Sequence, residues 1–412
     1  MNRSHIAALI RGLCINLTGK PYFVVTGDSG AIPKGAMFAA LPPFMDAENL
    51  PSEKVAEIIH DAYTAWIISS RNTAVKLKEN ELALPSCVVV GLNDSKAFYW
   101  IDSDWDSARK RLAEQDASPI TASIAANATA MVDPTERAAV VKNRIALVTG
   151  GAQGIGEEIV RNLAAAGAAV FIADLNLEGA QKLADAINAA EQRTAAMAVQ
   201  VNVANEPSAE AMVNTVAEKA GGLDLCISNA GVLKAGSVLE QELADFKLVT
   251  DINYTGFFIV SKFAGRLLKA QHLTAQRWKT DIIQINSKSG LEGSNKNGAY
   301  AGGKFGGIGL VASFAMELIE YNVKVNAICP GNFLDGSLWS HPEKGLFVQY
   351  LQTGKVVGAK SIADVRAFYE SKVPMKRGCT GKDLVRAVYY IVEQEYETGQ
   401  AIPVTGGQVM LH

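Results

Sequence analysis

Cysteine is scarce in this chain, and its placement supports neither cross-links nor metal binding. Five cysteines occur among the 412 residues, and none forms a C-x-x-C pair or lies in a cluster with histidines. A disulfide framework needs paired cysteines, and a structural zinc site needs ligands at short, regular spacing. We therefore expect reduced thiols and no metal site.

Long apolar runs and a strong net charge are also missing. The first apolar run is five residues long and ends at Arg11, which is too short for the core of a signal peptide. No uninterrupted apolar stretch reaches the length of about 18 residues that a membrane-spanning helix needs. The net charge is only −3, so nothing indicates a nucleic-acid or membrane partner. We expect a cytoplasmic protein.

Hydrophobic residues, by contrast, make up 49% of the chain, and 36 glycines are spread along it. This composition is typical of a globular α/β protein, and the length favours two or three domains. From about residue 141, the apolar and amphipathic segments alternate. Strands are predicted at 144–150, 168–174, 195–203, 223–230, 280–287 and 323–330, and helices at 157–167 and 178–190. This alternation predicts a doubly wound parallel sheet of the Rossmann type, with helices on both faces.

The first part of the chain shows no such repeat. Residues 1–115 are predicted to form a smaller α/β N-terminal domain, with a strand and turn at 22–30, a helix at 52–70 and a strand at 86–92. Residues 116–140 are rich in alanine, serine and threonine and are interpreted as a linker, so the larger domain covers 141–412. The segment VVTGDSGAIPKG, 24–35, has the letters VTG of a phosphate loop, but its glycines lack the needed spacing and Pro33 falls where a helix should already run, which favours a plain surface turn.

A glycine-rich segment, LVTGGAQGIG at 147–156, stands between a predicted strand and a predicted helix. Gly150, Gly154 and Gly156 have no side chains, so the backbone can turn tightly and approach a pyrophosphate. The first turn of the following helix would offer free N–H groups and the positive end of its dipole. The segment predicts a dinucleotide phosphate site, although the same glycines would also suit a purely steric turn.

An acidic residue at the end of the next predicted strand favours the dinucleotide interpretation. Asp174 lies 18 residues beyond Gly156, where a carboxylate can accept both hydroxyls of the adenosine ribose and would repel a 2′-phosphate. Neither Leu175, which follows it, nor Gln153 in the loop supplies a cation for such a phosphate. The sequence therefore predicts NAD rather than NADP as the cofactor.

From about Val141 to His412 the chain resembles the short-chain dehydrogenase/reductase family. The resemblance rests on motifs in the family's order: TGGAQGIG (149–156), SNAG (228–231), Asn253 in DINYTG, Ser287 in INSKSG, Tyr300 and Lys304 in YAGGK, and PG at 330–331. Ser287 also lies 13 residues before Tyr300, which is the family's spacing. The resemblance implies an oxidoreductase that uses a nicotinamide dinucleotide.

The resemblance also implies a role for each of four residues. Tyr300 would exchange a proton with the reacting oxygen, Ser287 would hydrogen-bond that oxygen, and Asn253 would position a water linked to the lysine. A free tyrosine, with a pKa of about 10, is a poor base. Lys304 follows Tyr300 by four residues on the same helix face, so its ammonium, together with the positive nicotinamide ring, is expected to lower that pKa. The resemblance implies that Lys304 also holds the nicotinamide ribose. The implied cofactor contacts are Gly150, Gln153, Gly154, Ile155, Gly156, Asp174, Leu175, Asn202, Val203, Asn229, Ala230, Gly231, Tyr300, Lys304, Pro330, Gly331 and Phe333.

Two positions depart from the family's pattern. Asn202 stands where the family commonly has an aspartate against the adenine, and an amide can still accept and donate hydrogen bonds there. Asp335 replaces the family's frequent threonine after the Pro-Gly pair, which helps to bind the nicotinamide carboxamide. That contact is expected from Ser337 or from backbone groups.

Within the family, several segments resemble the sorbitol-6-phosphate 2-dehydrogenases: IIQINSKSG, GAYAGGKFGGIGL, GNFL, KVPMKRGC and TGQAIPVTGGQVM. This likeness implies interconversion of sorbitol 6-phosphate and fructose 6-phosphate, with Ser287 and Tyr300 at the reacting carbon. Because a phosphate group needs cations nearby, the candidates for its binding are Lys288 and Lys296, with Lys376 and Arg377 further away. Any one of them can equally be a solvated surface charge.

Two other functions stay open: a dehydrogenase of an unphosphorylated polyol or another secondary alcohol, and a non-catalytic protein that responds to NAD. The set of Ser287, Tyr300 and Lys304 argues against the second, because a binding protein has no chemical need for it. The expected partner is a small sugar phosphate or polyol, and the family resemblance implies a homo-oligomer, either a dimer or a tetramer.

Fusions of an aldolase with a dehydrogenase of this family exist, so an N-terminal sugar-phosphate aldolase was considered. The metal-dependent type needs several histidines, and residues 1–140 contain only His5 and His60, beside Cys14 and Cys87. An active metal aldolase is therefore not expected, whereas a truncated relic, an oligomerisation module and a regulatory domain stay open. Since every family motif lies beyond Arg137, the dehydrogenase part is expected to fold from there alone.

Overall fold

The computed structural model describes residues 3–27, 32–33, 36–40, 51–70, 81–92, 95–123, 134–343, 345–352, 354 and 356–410. The segment 24–35, with its resemblance to a second phosphate loop, lies partly outside these residues. The helices and strands of the first part are α1 (Arg3–Thr18), β1 (Phe23–Gly27), β2 (Met37–Ala40), α2 (Ser52–Ser70), β3 (Glu81–Leu84), β4 (Cys87–Leu92), β5 (Ser95–Asp102), α3 (Trp105–Glu114) and β6 (Ile120–Ser123).

The N-terminal part is built on a four-stranded sheet in the order β1-β5-β4-β2. Strand β5 pairs antiparallel with both β1 and β4, and β2 pairs parallel with β4. A separate antiparallel pair joins β3 to β6. The predicted small α/β fold is confirmed, but β6 falls inside the segment interpreted as a linker, and a 3-10 helix at Pro134–Val141 falls at its end.

The second part carries the larger sheet. Its helices and strands are β7 (Ile145–Thr149), α4 (Gly154–Ala165), β8 (Ala169–Asp174), α5 (Leu177–Glu191), β9 (Ala196–Gln200), α6 (Glu206–Ala220), β10 (Leu225–Ser228), α7 (Leu243–Thr250), α8 (Gly256–His272), β11 (Thr280–Ile285), α9 (Gly298–Leu318), β12 (Val323–Pro330), α10 (Ser337–Ser340), α11 (Leu346–Gln352), α12 (Ile362–Ser371), α13 (Gly381–Glu393) and β13 (Ala401–Val404).

These seven strands form one parallel sheet in the order β13-β12-β11-β10-β7-β8-β9. Every residue of β7, β11 and β12 is buried, as expected for strands covered by helices on both faces. The strand order reverses between β7 and β10, and ligands of such sheets bind in the crevice outside the carboxyl ends of the strands at that point. The doubly wound prediction is confirmed.

The two parts share one hydrophobic core. Ala8 of α1, Phe23 of β1 and Trp105 of α3 are buried in the same cluster as Leu147 and Phe171 of the larger sheet. The Trp105 ring lies 6.3 Å from the Phe23 ring and 5.3 Å from the Phe171 ring, centroid to centroid. Its indole nitrogen also donates a hydrogen bond to the second part, to the carbonyl of Lys219 in the last turn of α6 (2.7 Å). The N-terminal part is thus packed directly on the α6–α8 side of the dehydrogenase sheet.

A fully buried ion pair joins the same two parts. The Arg11 guanidinium on α1 binds the Asp224 carboxylate, just before β10, with its closest contact at 2.8 Å. Asp224 also accepts from the backbone N–H of Ile145 and from the indole of Trp278, both at 2.8 Å. Burial opposes ionisation of Asp224, but Arg11, Arg144 and the hydrogen bond from Ile145 together hold the pKa of its carboxyl below its usual value.

Candidate active site

The glycine-rich loop joins β7 to α4 in the geometry that its sequence predicts. Gly150 and Gly154 have φ angles of +61° and +58°, in the left-handed region that glycine adopts without strain. A Cβ at Gly156 would collide with the carbonyl oxygen of Gly150 and would lie 2.6 Å from Nδ2 of Asn229. The third glycine therefore permits the close packing of α4 against the loop.

Asn229, from the SNAG motif after β10, fixes this loop from the other side. Its Nδ2 donates to the carbonyls of Thr149 (3.0 Å) and Gly150 (2.9 Å). The Thr149 hydroxyl in turn accepts from the backbone N–H groups of Asn229 and Ala230, both at 3.1 Å. The side chain that the sequence assigns to cofactor binding thus holds the loop in shape, and Gly231 follows beside Oδ1 of Asn253.

The start of α4 offers the features that a dinucleotide needs. Gln153, the residue before the helix, makes no side-chain hydrogen bond to the first turn, so the N–H groups of that turn face the loop uncapped. Asp174 ends β8 beside the loop, where one carboxylate oxygen accepts from the N–H of Ala152 (3.1 Å) and the other from that of Asn176 (3.0 Å). Each oxygen of the Asp174 carboxylate keeps a lone pair that can accept from a ribose hydroxyl. The space beside Gly154 is open, since a Cβ there would have no atom within 4 Å. These residues fit a nicotinamide dinucleotide.

The residues predicted around the adenosine differ in exposure. Leu175 is 68% exposed beside Asp174. Asn202 is exposed, and its Oδ1 accepts from the N–H of Ala204 (3.1 Å), so the amide also closes its own turn. Val203 is buried and packs against Gly256 at the start of α8.

Ser287, Tyr300 and Lys304 come together at the carboxyl end of β11. Ser287 lies two residues after the end of that strand, accepts a hydrogen bond from the N–H of Ser289 (3.1 Å), and is hydrogen-bonded through its side chain to Tyr300. Lys304 lies one turn after Tyr300 on α9, with its Nζ 5.6 Å from the centre of the tyrosine ring. The same Nζ donates to the carbonyl of Ile285 (2.8 Å). The spacing in the sequence thus corresponds to a real cluster.

Asn253 occupies a single π-helical turn, Asp251–Thr255, between α7 and α8. Its side chain is buried and makes two bonds to one residue: Oδ1 accepts from the N–H of Val232 (2.8 Å), and Nδ2 donates to the carbonyl of Val232 (2.9 Å). Single π turns are frequent at functional sites. Here the amide holds the segment that follows the SNAG motif, which borders the same crevice.

Burial governs the two titratable groups of the cluster. It lowers the pKa of Lys304 to about 8, because the interior disfavours the ammonium form. It raises the pKa of Tyr300, and the hydrogen bond from Ser287 opposes that rise only in part. Desolvation is the largest influence on the pKa of Tyr300, and the expectation that Lys304 and the nicotinamide ring together lower this pKa stays a prediction.

The segment after β12 contains the predicted Pro-Gly turn and, further on, Asp335 at the position where the family often has threonine. Gly331, after Pro330, donates its N–H to the carbonyl of Val404 (3.0 Å), which fixes the Pro-Gly turn to β13. Asp335, at the family's threonine position, forms an ion pair with Arg366 of α12 at 2.7 Å, so its carboxylate is already engaged. Phe333 is half-buried between these two positions. The side chain of Ser337, the proposed substitute, lies outside the described part of the chain.

The four candidate cations for a substrate phosphate have different surroundings. Lys288 pairs with Glu292 at 3.4 Å. Arg377 makes two bonds to Asp383 (2.6 and 2.9 Å), and Lys376 donates to the carbonyl of Ser371, the last residue of α12 (2.8 Å). Lys296 is exposed in the loop before α9 and forms no ion pair with any residue that the structure describes. Its carbonyl accepts from Gly236 (2.9 Å), in the loop beyond the SNAG motif.

Comparison with known proteins agrees with this geometry. The family model for short chain dehydrogenases matches residues 144–341. Sorbitol-6-phosphate 2-dehydrogenase of Escherichia coli strain K12 is 35% identical over 270 residues, which are 65% of this chain and 99% of that protein. Meso-2,3-butanediol dehydrogenase of Serratia marcescens is 31% identical over 255 residues, 58% of this chain and 96% of that protein.

Solved structures give the same result. The crystal structure of sorbitol-6-phosphate 2-dehydrogenase from Erwinia amylovora has a TM-score of 0.59 and 37% identity, and covers 65% of this chain and 100% of that one. The matched region contains the parallel sheet and the crevice described above. Because it covers nearly the whole of such relatives at more than 30% identity, this chain belongs to the short-chain dehydrogenase/reductase family of oxidoreductases.

Proposed function

We propose that this protein interconverts sorbitol 6-phosphate and fructose 6-phosphate with NAD as its cofactor. The observation that carries the proposal is the match to sorbitol-6-phosphate 2-dehydrogenases over 99% and 100% of their lengths. The segments that suggested this substrate include INSKSG, which lies at the carboxyl end of β11 and supplies Ser287. The substrate likeness therefore extends to the residues nearest the reacting carbon.

The cofactor assignment rests on the loop and on Asp174. When bound, the nicotinamide dinucleotide accepts a hydride during oxidation and supplies one during reduction. The uncapped first turn of α4 binds the pyrophosphate, and Asp174 binds the adenosine ribose hydroxyls. The carboxylate of Asp174 would repel the 2′-phosphate of NADP, and the next residue, Leu175, is an exposed apolar side chain that cannot offset this repulsion. This arrangement favours NAD over NADP.

The catalytic assignment follows from the cluster at β11 and α9. Tyr300 donates its phenolic proton to the carbonyl oxygen during reduction and takes it back during oxidation. Ser287 hydrogen-bonds the same oxygen and stabilises the charge that develops on it. Lys304 holds the nicotinamide ribose, and Asn253 keeps the neighbouring segment in place and positions a water that links Lys304 to solvent.

The phosphate assignment is to Lys296 and Lys288. Lys296 is exposed and forms no ion pair with a described residue, so a dianion there would have no carboxylate to displace. Lys288 adjoins Ser287 but already pairs with Glu292. Charge-assisted bonds of this kind are each worth about 1.5–3 kcal/mol. We therefore expect a preference for the phosphorylated sugar that rests more on Lys296.

A second candidate is a dehydrogenase of an unphosphorylated polyol or another secondary alcohol. It is supported by the 31% identity to meso-2,3-butanediol dehydrogenase, and by the ion pairs that already engage Lys288 and Arg377. Both candidates share the same catalytic residues. We further propose that the protein is a cytoplasmic homo-oligomer, in keeping with five free, buried cysteines.

A matrix of cofactors and substrates tests this proposal. Initial rates of reduction are measured with NADH or NADPH, each with fructose 6-phosphate, fructose or the diketone diacetyl. We expect kcat/KM to be at least about tenfold higher with NADH, which is about 1.4 kcal/mol, and highest with fructose 6-phosphate. Equal kcat/KM for fructose and fructose 6-phosphate would discard the phosphate assignment, and fastest turnover of diacetyl would favour the second candidate.

Three lysine variants sharpen the test. Lys296→Ala is expected to raise KM for fructose 6-phosphate about tenfold or more and to leave the rate with fructose unchanged. Lys288→Ala is expected to have a smaller effect of the same kind. The control is Lys110→Ala on α3, an exposed lysine with a comparable surface pair. An equal KM for all three variants and the wild type would show that none of these lysines binds the phosphate.

A further inference from the structure

A buried amide lies immediately before Ser287. Asn286 is 3% exposed and follows the last residue of β11. Its Oδ1 accepts from the backbone N–H of Ser287 (2.8 Å), and its Nδ2 donates to the carbonyl of Lys304 (2.9 Å). One side chain therefore contacts both the strand end that carries Ser287 and the helix that carries Lys304.

The same two segments are bonded a second time in the opposite direction. Lys304 donates from its Nζ to the carbonyl of Ile285 (2.8 Å), next to Asn286 in the chain. The backbone carbonyl of the lysine thus accepts from one residue of the strand end, while its side chain donates to the preceding one. These two hydrogen bonds hold the Lys304 side chain against the end of β11. They also hold the turn of α9 that contains Lys304 at a fixed position relative to that strand.

The surroundings permit only one orientation of the Asn286 amide. Its oxygen faces an N–H and its nitrogen faces a carbonyl. A flipped amide would place its NH2 group against the N–H donor and its oxygen against the carbonyl oxygen. Gly290 comes so close that a Cβ there would collide with Oδ1 of Asn286 and would lie 3.0 Å from the Lys304 carbonyl. The chain therefore leaves room for this amide in a tightly packed part of the site.

We propose that Asn286 is a positioning residue, which sets the distance of Ser287 from Tyr300 and Lys304 by joining the end of β11 to α9. Asn286 touches neither substrate nor cofactor in this role. It acts through the two residues that it bonds, and the inference rests on the catalytic roles proposed above for Ser287, Tyr300 and Lys304. Displacing a reacting group by about 1 Å is enough to cost about 100-fold in rate.

The chain supplies a matched control in Gln284. That residue is also buried, and its Oε1 accepts from the same Nδ2 of Asn286 (2.7 Å). Within the described part of the chain it forms no hydrogen bond to Ser287 or Lys304, and its own Nε2 has no hydrogen-bond partner there. Gln284→Met removes a buried amide from the same network and leaves both bonds of Asn286 to the site.

The experiment compares Asn286→Leu with Gln284→Met in the full chain. For Asn286→Leu we expect kcat to fall about 10- to 100-fold, while the dissociation constant of NADH changes less than threefold. For Gln284→Met we expect kcat within threefold of the wild type. The rates are measured with whichever alcohol the wild type oxidises fastest, so a wrong sugar assignment does not affect this comparison.

A second measurement needs no substrate. The pH dependence of Lys304 acetylation, followed by mass spectrometry of its peptide, gives the midpoint of its deprotonation, which we expect near 8 in the wild type. In Asn286→Leu the Lys304 side chain is held less firmly in its buried position, so the midpoint of its deprotonation should rise towards the value of an exposed lysine. In Gln284→Met it should not move.

The proposal is overturned if Asn286→Leu keeps kcat within threefold of the wild type, or if its Lys304 midpoint is unmoved. Should Asn286→Leu fail to fold, Gly290→Ala takes its place, because the added Cβ displaces the Asn286 amide. The same two readouts then apply. A wild-type enzyme that turns over no alcohol would refute the proposed function, whereas the acetylation midpoints would still decide the role of Asn286.

Discussion

Tyr300 and Lys304 lie one turn apart on α9, and burial favours the neutral form of each. The pKa of Tyr300 is raised, and that of Lys304 is lowered to about 8. A neutral phenol is the proton donor that reduction of a ketone requires, whereas oxidation of the alcohol requires the phenolate. At neutral pH Tyr300 is therefore in the protonated form that reduction requires. Oxidation requires Tyr300 to lose its proton, which burial disfavours.

This protonation state predicts opposite pH profiles for the two directions. Because the pKa of Tyr300 is raised, the phenol stays protonated through neutral pH, and kcat/KM for reduction should be level between about pH 6 and 8. The oxidation rate should rise by up to about tenfold per pH unit above pH 7, since only the deprotonated fraction acts as base. Initial rates in both directions on one buffer series measure this. An oxidation rate that falls between pH 7 and 9 would contradict it.

The hydroxyl of Tyr300 can be removed alone. Tyr300→Phe should retain less than about a tenth of the wild-type kcat, because the proton-transferring oxygen is lost, and should bind NADH nearly as well as the wild type. Steady-state rates and NADH fluorescence titration measure the two effects. The control is Tyr321→Phe, which loses a tyrosine hydroxyl bonded to Lys269 at the surface. Equal activity of the two variants would show that Tyr300 is not the proton donor.

At the scale of the elements, the larger sheet could be predicted and the smaller one only in part. The strand predicted at 144–150 is β7, and that at 323–330 is β12, because a strand buried on both faces appears as a continuous apolar run. The helix predicted at 52–70 is α2. Helix α1 was missed, because its almost complete burial leaves no polar face and Arg11 interrupts the apolar run.

The site shows the same division. The positions of Ser287, Tyr300 and Lys304 follow from spacing along one strand end and one helix, so the sequence was sufficient for them. The role of Asn229 in holding the glycine loop depends on two segments 79 residues apart in the chain. The Asp335–Arg366 pair depends on how the segment after β12 folds back. Neither contact leaves a local pattern in the sequence.

Helix α9 predicts a contact between copies of the protein. Among the described residues, Gly298–Tyr321 is long and apolar enough to cross a membrane by length and composition, and only 28% of its apolar window is buried. It carries Tyr300 and Lys304 and packs against β12, so its uncovered face, with Phe305 and Met316, borders solvent. A second copy of the chain would cover such a face.

Met316→Glu tests this contact, because a carboxylate on a side chain that is 82% exposed costs little in the monomer and much in an apolar interface. We expect the wild type to be a dimer or tetramer by light scattering after gel filtration, and the variant to have a smaller mass at the same concentration. Met410→Glu, at another exposed methionine, should keep the wild-type mass. A monomeric wild type, or equal masses for all three proteins, would contradict the prediction.

At the scale of the whole molecule, the N-terminal part is joined to the dehydrogenase part by a buried ion pair and a shared hydrophobic core as well as by the polypeptide chain. Arg11 and Asp224 are 213 residues apart, and neither sequence neighbourhood indicates that the two will meet. The expectation that the dehydrogenase folds from Arg137 alone relied on the motifs, all of which lie beyond that residue. A chain that began there would bury the Asp224 carboxylate without its main cation, and would expose the faces of α6 and α8 that the N-terminal part covers.

We therefore expect the two parts to unfold together and Arg11→Met to destabilise both. Removing one partner of a buried ion pair costs about 3–5 kcal/mol, because the other charge stays buried and uncompensated. The double variant Arg11→Met with Asp224→Asn should recover part of that loss, since the uncompensated charge is gone and the amide oxygen can keep one of the two bonds, from Ile145 or from Trp278. Calorimetry gives the stability, and the loss of NADH binding with temperature reports on the dehydrogenase part. A wild type that unfolds in two separate steps, with NADH binding unaffected by Arg11→Met, would show that the N-terminal part is an independent domain.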